Sequence, residues 1–150
     1  MADLHTRIRD DLRTAMKAKD VLRRDTLRLV QAAIKNAEIE KRAELDEPAI
    51  AVVLQKQVKQ RQESIVQFKQ GGRQDLVDKE QAELAILETY LPEQLSRDDI
   101  LAKVKALIAE IGAEGPQQKG KVMGPLMAEL RGKADGRLVN EVVDELLSAE

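Results

Sequence analysis

The chain has 150 residues, of which 43% are hydrophobic and 35% charged, with a net charge of -2 and no cysteine. It can bury a core, so wholesale disorder is excluded, and the missing thiols exclude disulfides, thiolate nucleophiles and cysteine-ligated zinc. Phe68 and Tyr90 are its only aromatic residues, which leaves an aliphatic core and no platforms for stacking single-stranded bases.

Helical periodicity fills every long segment and strand signals are missing, so the expected fold is all-α. Leu4, Ile8, Leu12, Ala15 and Met16 mark one face of a first helix. Asp20 can cap a second, which carries Leu22, Thr26, Leu29, Ala33 and Ala37 on one stripe, widened by Leu27, Val30 and Ile34, and is expected to run toward Leu45. A carboxylate before Pro48 restarts the chain, because proline's missing N–H costs nothing in a first turn. Ile50, Val53, Leu54, Val58, Ile65 and Phe68 then form a third stripe ending at Gly71-Gly72. A fourth helix, with Leu76, Glu80, Leu84, Leu87 and Leu91 on one side, stops at Pro92. Short connections join these four into an expected antiparallel array, residues 1–92.

The best boundary is "YLPEQLSRDD". Ser96, with Asp99 three residues on, gives a relaxed capping box for a helix whose apolar face is Ile100, Leu101, Val104, Leu107, Ile108 and Ile111. Gly112 terminates it, "GAEGPQQKG" is the expected flexible loop, and Asp135 can cap a last helix bearing Leu138, Val139, Val142, Val143, Leu146 and Leu147. Residues 93–150 are thus a small three-helix domain.

The segment "KGKVMGPLMAELRGKADGR" breaks the pattern. Gly120, Gly124 and Ala128 would form a bare ridge on a helix, and Pro125 would kink that helix or restart it at Gly124. Gly132 and Gly136 fall in the connection to the last helix. The preferred account of these four close-approach glycines is tight packing along the ridge plus two turns, in which Gly132 and Gly136 supply left-handed or otherwise strained backbone. The sharper one is a phosphate-binding corner, since Lys119, Lys121, Arg131, Lys133 and Arg137 face only Glu129 and Asp135 over this stretch.

These residues, with "KQRQESIVQFKQGGRQDLVDKEQAELAILETYLPEQLS", resemble the GatB/YqeY family, and specifically its stand-alone YqeY-like members, over nearly the whole chain. The resemblance implies a helical N-terminal domain joined to a three-helix domain similar to the tail of GatB, a subunit of the glutamine-dependent tRNA amidotransferase. It also implies carbon–nitrogen ligase activity with glutamine as amido donor, although ATP-dependent activation belongs to a catalytic portion, and glutamine hydrolysis to a subunit, that this sequence lacks. The five cations become candidates for contacts to a tRNA backbone.

Direct inventory finds no catalytic constellation. His5 is the single histidine; Ser64, Ser96 and Ser148 lack a nucleophile-elbow context. Gly115 and Gly120-Lys121 approach a phosphate-loop spacing, but Val122 replaces the required hydroxyl. Carboxylate pairs such as Asp10/Asp11 and Asp98/Asp99 carry no specificity. Arg7, Arg9, Arg13, Lys17, Arg23, Arg24 and Arg28 crowd the first two helices as a salt-laced face, with pairs such as Asp20–Arg24 expected. No metal and no cofactor are expected.

No apolar run approaches the roughly 18 residues of a membrane span, and no signal peptide is legible. The expected protein is therefore cytoplasmic and has no membrane partner. Its expected function is that of a non-catalytic tRNA-associated module related to tRNA amidotransferase. The alternative is an adaptor for an amidotransferase or aminoacyl-tRNA synthetase without direct RNA binding, and a third possibility is a true amidotransferase component.

Overall fold

The computed structural model describes residues 3–148, and these are all-helical, with no strand among them. The helices are α1 (Leu4–Ala18), α2 (Val21–Lys41), α3 (Glu47–Gln70), α4 (Gln74–Glu88), α5 (Arg97–Ile111), α6 (Lys119–Leu130) and α7 (Gly136–Ser148). The chain divides into two compact units, Met1–Leu91 and Pro92–Glu150. No helix of the described residues is long and apolar enough to cross a membrane.

In the first unit, local chemistry sets each helix end. Asp3 caps α1 by accepting from Thr6 N at 2.8 Å, and the Glu47 carboxylate, from the start of α3, receives the Leu4 N–H. Lys19 closes α1 in the left-handed region (φ 58°), its N–H shared between the Ala15 and Met16 carbonyls. Asp20 then caps α2 through Arg23 N at 3.1 Å. Its side chain meets Arg23 at 3.8 Å and Arg24 turns to Asp25, so the expected Asp20–Arg24 pair is replaced by these two. The second helix stops short of Leu45. Arg42 ends it at φ 59°, and the Glu38 carboxylate accepts from Leu45 N at 3.1 Å. Asp46 caps α3 through Ala49 N at 2.9 Å, with Pro48 in the first turn.

α3 packs most extensively on α4 and α1 on α2, while α2 lies against both α3 and α4. Their shared core includes Ile8, Leu12, Leu27, Val30, Ile34, Ile50, Leu54, Ile86 and Leu87. Two stripes differ from expectation. On α2 the buried residues are Thr26, Leu27, Val30 and Ile34, leaving Leu22 and Leu29 exposed. On α4 they are Val77, Glu83, Ile86 and Leu87; the helix ends at Glu88, before Leu91. Glu83 goes inside because Arg61 of α3 meets it there, Nε to Oε2 at 3.4 Å, both side chains almost fully buried. A pair so distant in sequence leaves no local signal.

Tyr90 closes this core. Its ring, 3% exposed, lies under the Arg7 guanidinium at 5.2 Å, and its hydroxyl donates to Asp11 Oδ2 at 2.5 Å. Burial, reinforced by the Asp11 carboxylate, pushes the phenol up to about 12. A folded-state value above the unfolded phenol's, near 10, favours the neutral form in the native state. The stabilisation is complete below about pH 10 and lost as pH rises toward about 12. Since Tyr90 is the only tyrosine, phenolate absorbance titrates it alone. The expected curve is displaced upward in the folded chain and returns near 10 in urea; coincident curves would refute the buried phenol.

The second unit has its own core. α5, α6 and α7 contact one another pairwise. Ile100, Val104, Val122, Leu126, Leu130, Val139, Val142 and Val143 form its centre. Ser96 and Asp99 make the full reciprocal capping box of α5, and Gly112 ends it at φ 74°. Part of the expected flexible loop is a short 3-10 turn, Pro116–Gln118, leading directly into α6.

Candidate functional site

α6 has two sharply different sides. Val122, Leu126 and Leu130 recur every four residues and are buried. The opposite side, by the 3.6-residue period, is centred on Gly124 and Ala128 and flanked by Gly120, Lys121 and Pro125, all exposed. Apart from the adjacent residues and the backbone of α6 itself, nothing lies within 4 Å of where a Cβ on Gly120 or Gly124 would stand. No other element therefore packs closely against these two glycines; Gly124 precedes Pro125, whose ring disfavours a Cβ on the residue before it in a helix, while Gly120 has no such neighbour. Pro125 lies inside a continuous α6, so the helix does not restart at Gly124. The proline nitrogen cannot bond the Lys121 carbonyl one turn back, which leaves that oxygen on the same exposed side.

Gly132 and Gly136 behave differently. Gly132 is buried with φ 82°, a conformation that a Cβ resists. Its carbonyl accepts from Gln94 Nε2 at 2.9 Å, and the Lys133 carbonyl accepts from Leu95 N at 2.8 Å. The segment following Pro92 is thus tied to the α6–α7 connection, through residues that sequence reasoning missed and no short-range pattern announces. Gly136 opens α7, where the Asp135 carboxylate accepts from Arg137 N at 3.1 Å. A carboxylate already occupies the donor end that the phosphate-corner account assigned to an anion.

The five cations do not converge on one point. Lys119 is half-buried and paired with Asp144 of α7 at 2.8 Å. Lys121 stands beside Gly124 on the bare side, while Arg131 follows the helix end, about 15 Å along the axis. Lys133 and Arg137 are exposed in and after the connection. Glu129, the acidic residue on α6, is engaged by Lys103 at 2.8 Å, and that lysine, assisted at longer range by Lys133, holds its carboxyl below the usual range. Arg97 pairs likewise with Glu145. Lys121, Arg131, Lys133 and Arg137 form no ion pair with another described residue. The result is a strip of bare helix bordered by cations, with its own acid neutralised. Among the described residues no group of three or more His, Cys, Asp and Glu side chains could hold a metal ion.

Fold and site together define an all-helical protein that presents a side-chain-poor, positively bordered helix face. Residues 5–147 match the model of the YqeY-like protein family, and the chain belongs to that family. It is similar to the Altered inheritance of mitochondria protein 41, mitochondrial, of Pyrenophora tritici-repentis, 33% identical over 147 residues, covering 96% of this chain and 81% of the relative. The protein of that name from Kluyveromyces lactis is 40% identical over 124 residues, 79% of this chain and 66% of the relative. The one from Lachancea thermotolerans is 38% identical over 112 residues, 73% of this chain and 60% of the relative. The chain therefore spans only some two thirds of the length of two of these relatives.

Two expectations are corrected by these names. The relatives are not named as tRNA-associated amidotransferase modules or as adaptors for such enzymes, so that functional assignment is withdrawn and membership of the YqeY-like family stands in its place. The likeness to a GatB tail concerned a helical scaffold, and a scaffold does not carry a function with it. The expected cytoplasmic location is corrected as well, since the relatives are named as mitochondrial proteins.

Proposed function

We propose that the chain is a non-catalytic helical binding module, in which the bare face of α6 receives an acidic helical segment of a protein partner. In finer detail, α1–α4 form an antiparallel array that serves as scaffold, and the three helices of the second unit carry the docking face. The setting is taken from the relatives, whose names tie them to mitochondria and mitochondrial inheritance.

The observation that supports this is the open space beside Gly120 and Gly124. Each interior glycine costs a helix about 1 kcal/mol relative to alanine, and an interior proline about 3. A twelve-residue helix with Gly124 and Pro125 in its interior and Gly120 in its first turn gives up helix propensity that its buried Val122, Leu126 and Leu130 must offset. Such local violations belong to sites where something else approaches. Small residues four apart let a second helix come close to the backbone, and Lys121, Arg131 and Lys133 favour one that is acidic.

Gly124→Ala is expected to change stability by less than about 1 kcal/mol, because the helix propensity gained is offset by the new Cβ meeting the ring of Pro125, the next residue in α6; urea unfolding checks this. Gly124→Leu should block approach, and circular dichroism should show it still folded, because Val122, Leu126 and Leu130 hold α6 on its core. With a photo-crosslinking side chain at Ala128, the full chain should capture a discrete protein from nuclease-treated mitochondrial extract. Both Gly124→Leu and charge reversal at Lys121, Arg131 and Lys133 should abolish the adduct. An adduct indifferent to both changes would overturn the assignment.

A further inference from the structure

The outward side of α2 is not an ordinary solvated face. Thr26, Leu27, Val30 and Ile34 point into the core. Diametrically opposite, at 100° per residue, stand Val21, Asp25, Arg28, Ala32, Lys35 and Ile39, every one exposed. Their spacing alternates four and three residues, which is that of a two-helix seam. Val21 is 54% exposed, Ile39 66%, and Leu29, bordering the seam, 52%. Single exposed apolar residues are common, but here Val21 and Ile39 close the two ends of one seven-residue-repeat seam with Leu29 beside it.

The order of these residues selects what covers them. Reflected about the level of Val30, Val21 falls opposite Ile39, Asp25 opposite Lys35, and Arg28 opposite Ala32. Two copies of α2 laid antiparallel therefore pair apolar with apolar at both ends and Asp25 with Lys35 twice. Laid parallel, they would set Asp25 against Asp25 and Lys35 against Lys35, and directly opposed like charges repel. We propose that this chain self-associates as a two-fold dimer through an antiparallel α2–α2 seam about Val30. Asp25 already meets its neighbour Arg24 through Oδ1 at 2.9 Å; the second oxygen is the one that Lys35 of the other copy would take. The seam belongs to the first unit and is independent of the α6 face.

Sedimentation equilibrium of the full chain across a concentration series, at low salt, tests this. The unmodified chain is expected to dimerise. Asp25→Lys alone and Lys35→Asp alone should each weaken association by at least about tenfold, since each places like charges at both contacts. Both sites are exposed, so circular dichroism should show each variant folded. An equimolar mixture of the two variants should recover a dimer, because every cross-contact is then opposite in charge, and the double variant should recover one too. A monomer at all concentrations, dimers undiminished in both single variants, or a mixture that fails to associate would each overturn the proposal.

Discussion

Replacing Glu83 with leucine is expected to cost the first unit about 3–5 kcal/mol, whereas replacing Arg61 and Glu83 together, by methionine and leucine, should leave stability unchanged or raise it. Arg61 is 7% exposed and Glu83 8%. The pair is close, at 3.4 Å, but Arg61 Nε is buried and makes no hydrogen bond of good geometry, while Nη1 donates to the Gln57 carbonyl at 3.2 Å and to Gln57 Oε1 at 2.8 Å. Two desolvated charges with incomplete hydrogen bonding gain little over apolar side chains of similar volume. Removing one of them is another matter, because a guanidinium cannot discharge itself. Glu80, one turn before Glu83, is raised by burial and by the Glu83 charge, with Arg61 opposing. It remains as a partial counter-charge and should hold the loss toward the lower end of the range. Urea unfolding followed by helical circular dichroism gives the double-mutant cycle directly. A Glu83→Leu loss below about 1 kcal/mol would show that Arg61 does not need its partner, and a double variant markedly less stable than the unmodified chain would show that the pair is no burden on the interior.

That pair also marks where sequence reasoning stops. Helix starts were legible because their chemistry is local: Asp46 with Pro48, Ser96 with Asp99, Asp135 before Gly136. The all-helical class was legible because the apolar period recurs in every long segment. On α4 the expected Leu87 is fully buried and Leu84 and Leu91 pack against the core, but Val77, Glu83 and Ile86 were missed, since the period alone cannot foresee a glutamate drawn inside by an arginine on another helix. The end of α2 was overrun because Arg42 takes a left-handed conformation that its residue type disfavours and only the chain's turn requires.

The candidate site was legible in part, for similar reasons. The bare ridge and its cations stand out in the sequence, and the period places Gly120, Gly124 and Ala128 on one side. Whether that side faced a neighbour or water depended on which of α6's two stripes the rest of the unit would cover. Val122, Leu126 and Leu130 are the larger residues and took the interior, which is the general outcome when apolar area competes for burial. The pairing of Lys119 with Asp144 across to α7 likewise needed the fold before it could be seen.

Leu126→Ala should dismantle the second unit selectively. Leu126 is 1% exposed at the centre of the α6 stripe, packed among Ile100, Val104, Val139, Val142 and Val143. Truncating a buried leucine costs about 2–5 kcal/mol. A core in a unit of this size seldom supplies more than about 3–5. The first unit keeps its own core, with no residue of α6 in it. Thermal unfolding should therefore split into two transitions, the lower carrying roughly a third of the helical signal, the share of helical residues in α5, α6 and α7. One undivided transition shifted as a whole would defeat the expectation of separate stability. The same variant also separates the two surfaces. With α6 unfolded the acidic partner should no longer be captured, while dimerisation through α2 should persist, because the seam is carried by helices that Leu126 does not support.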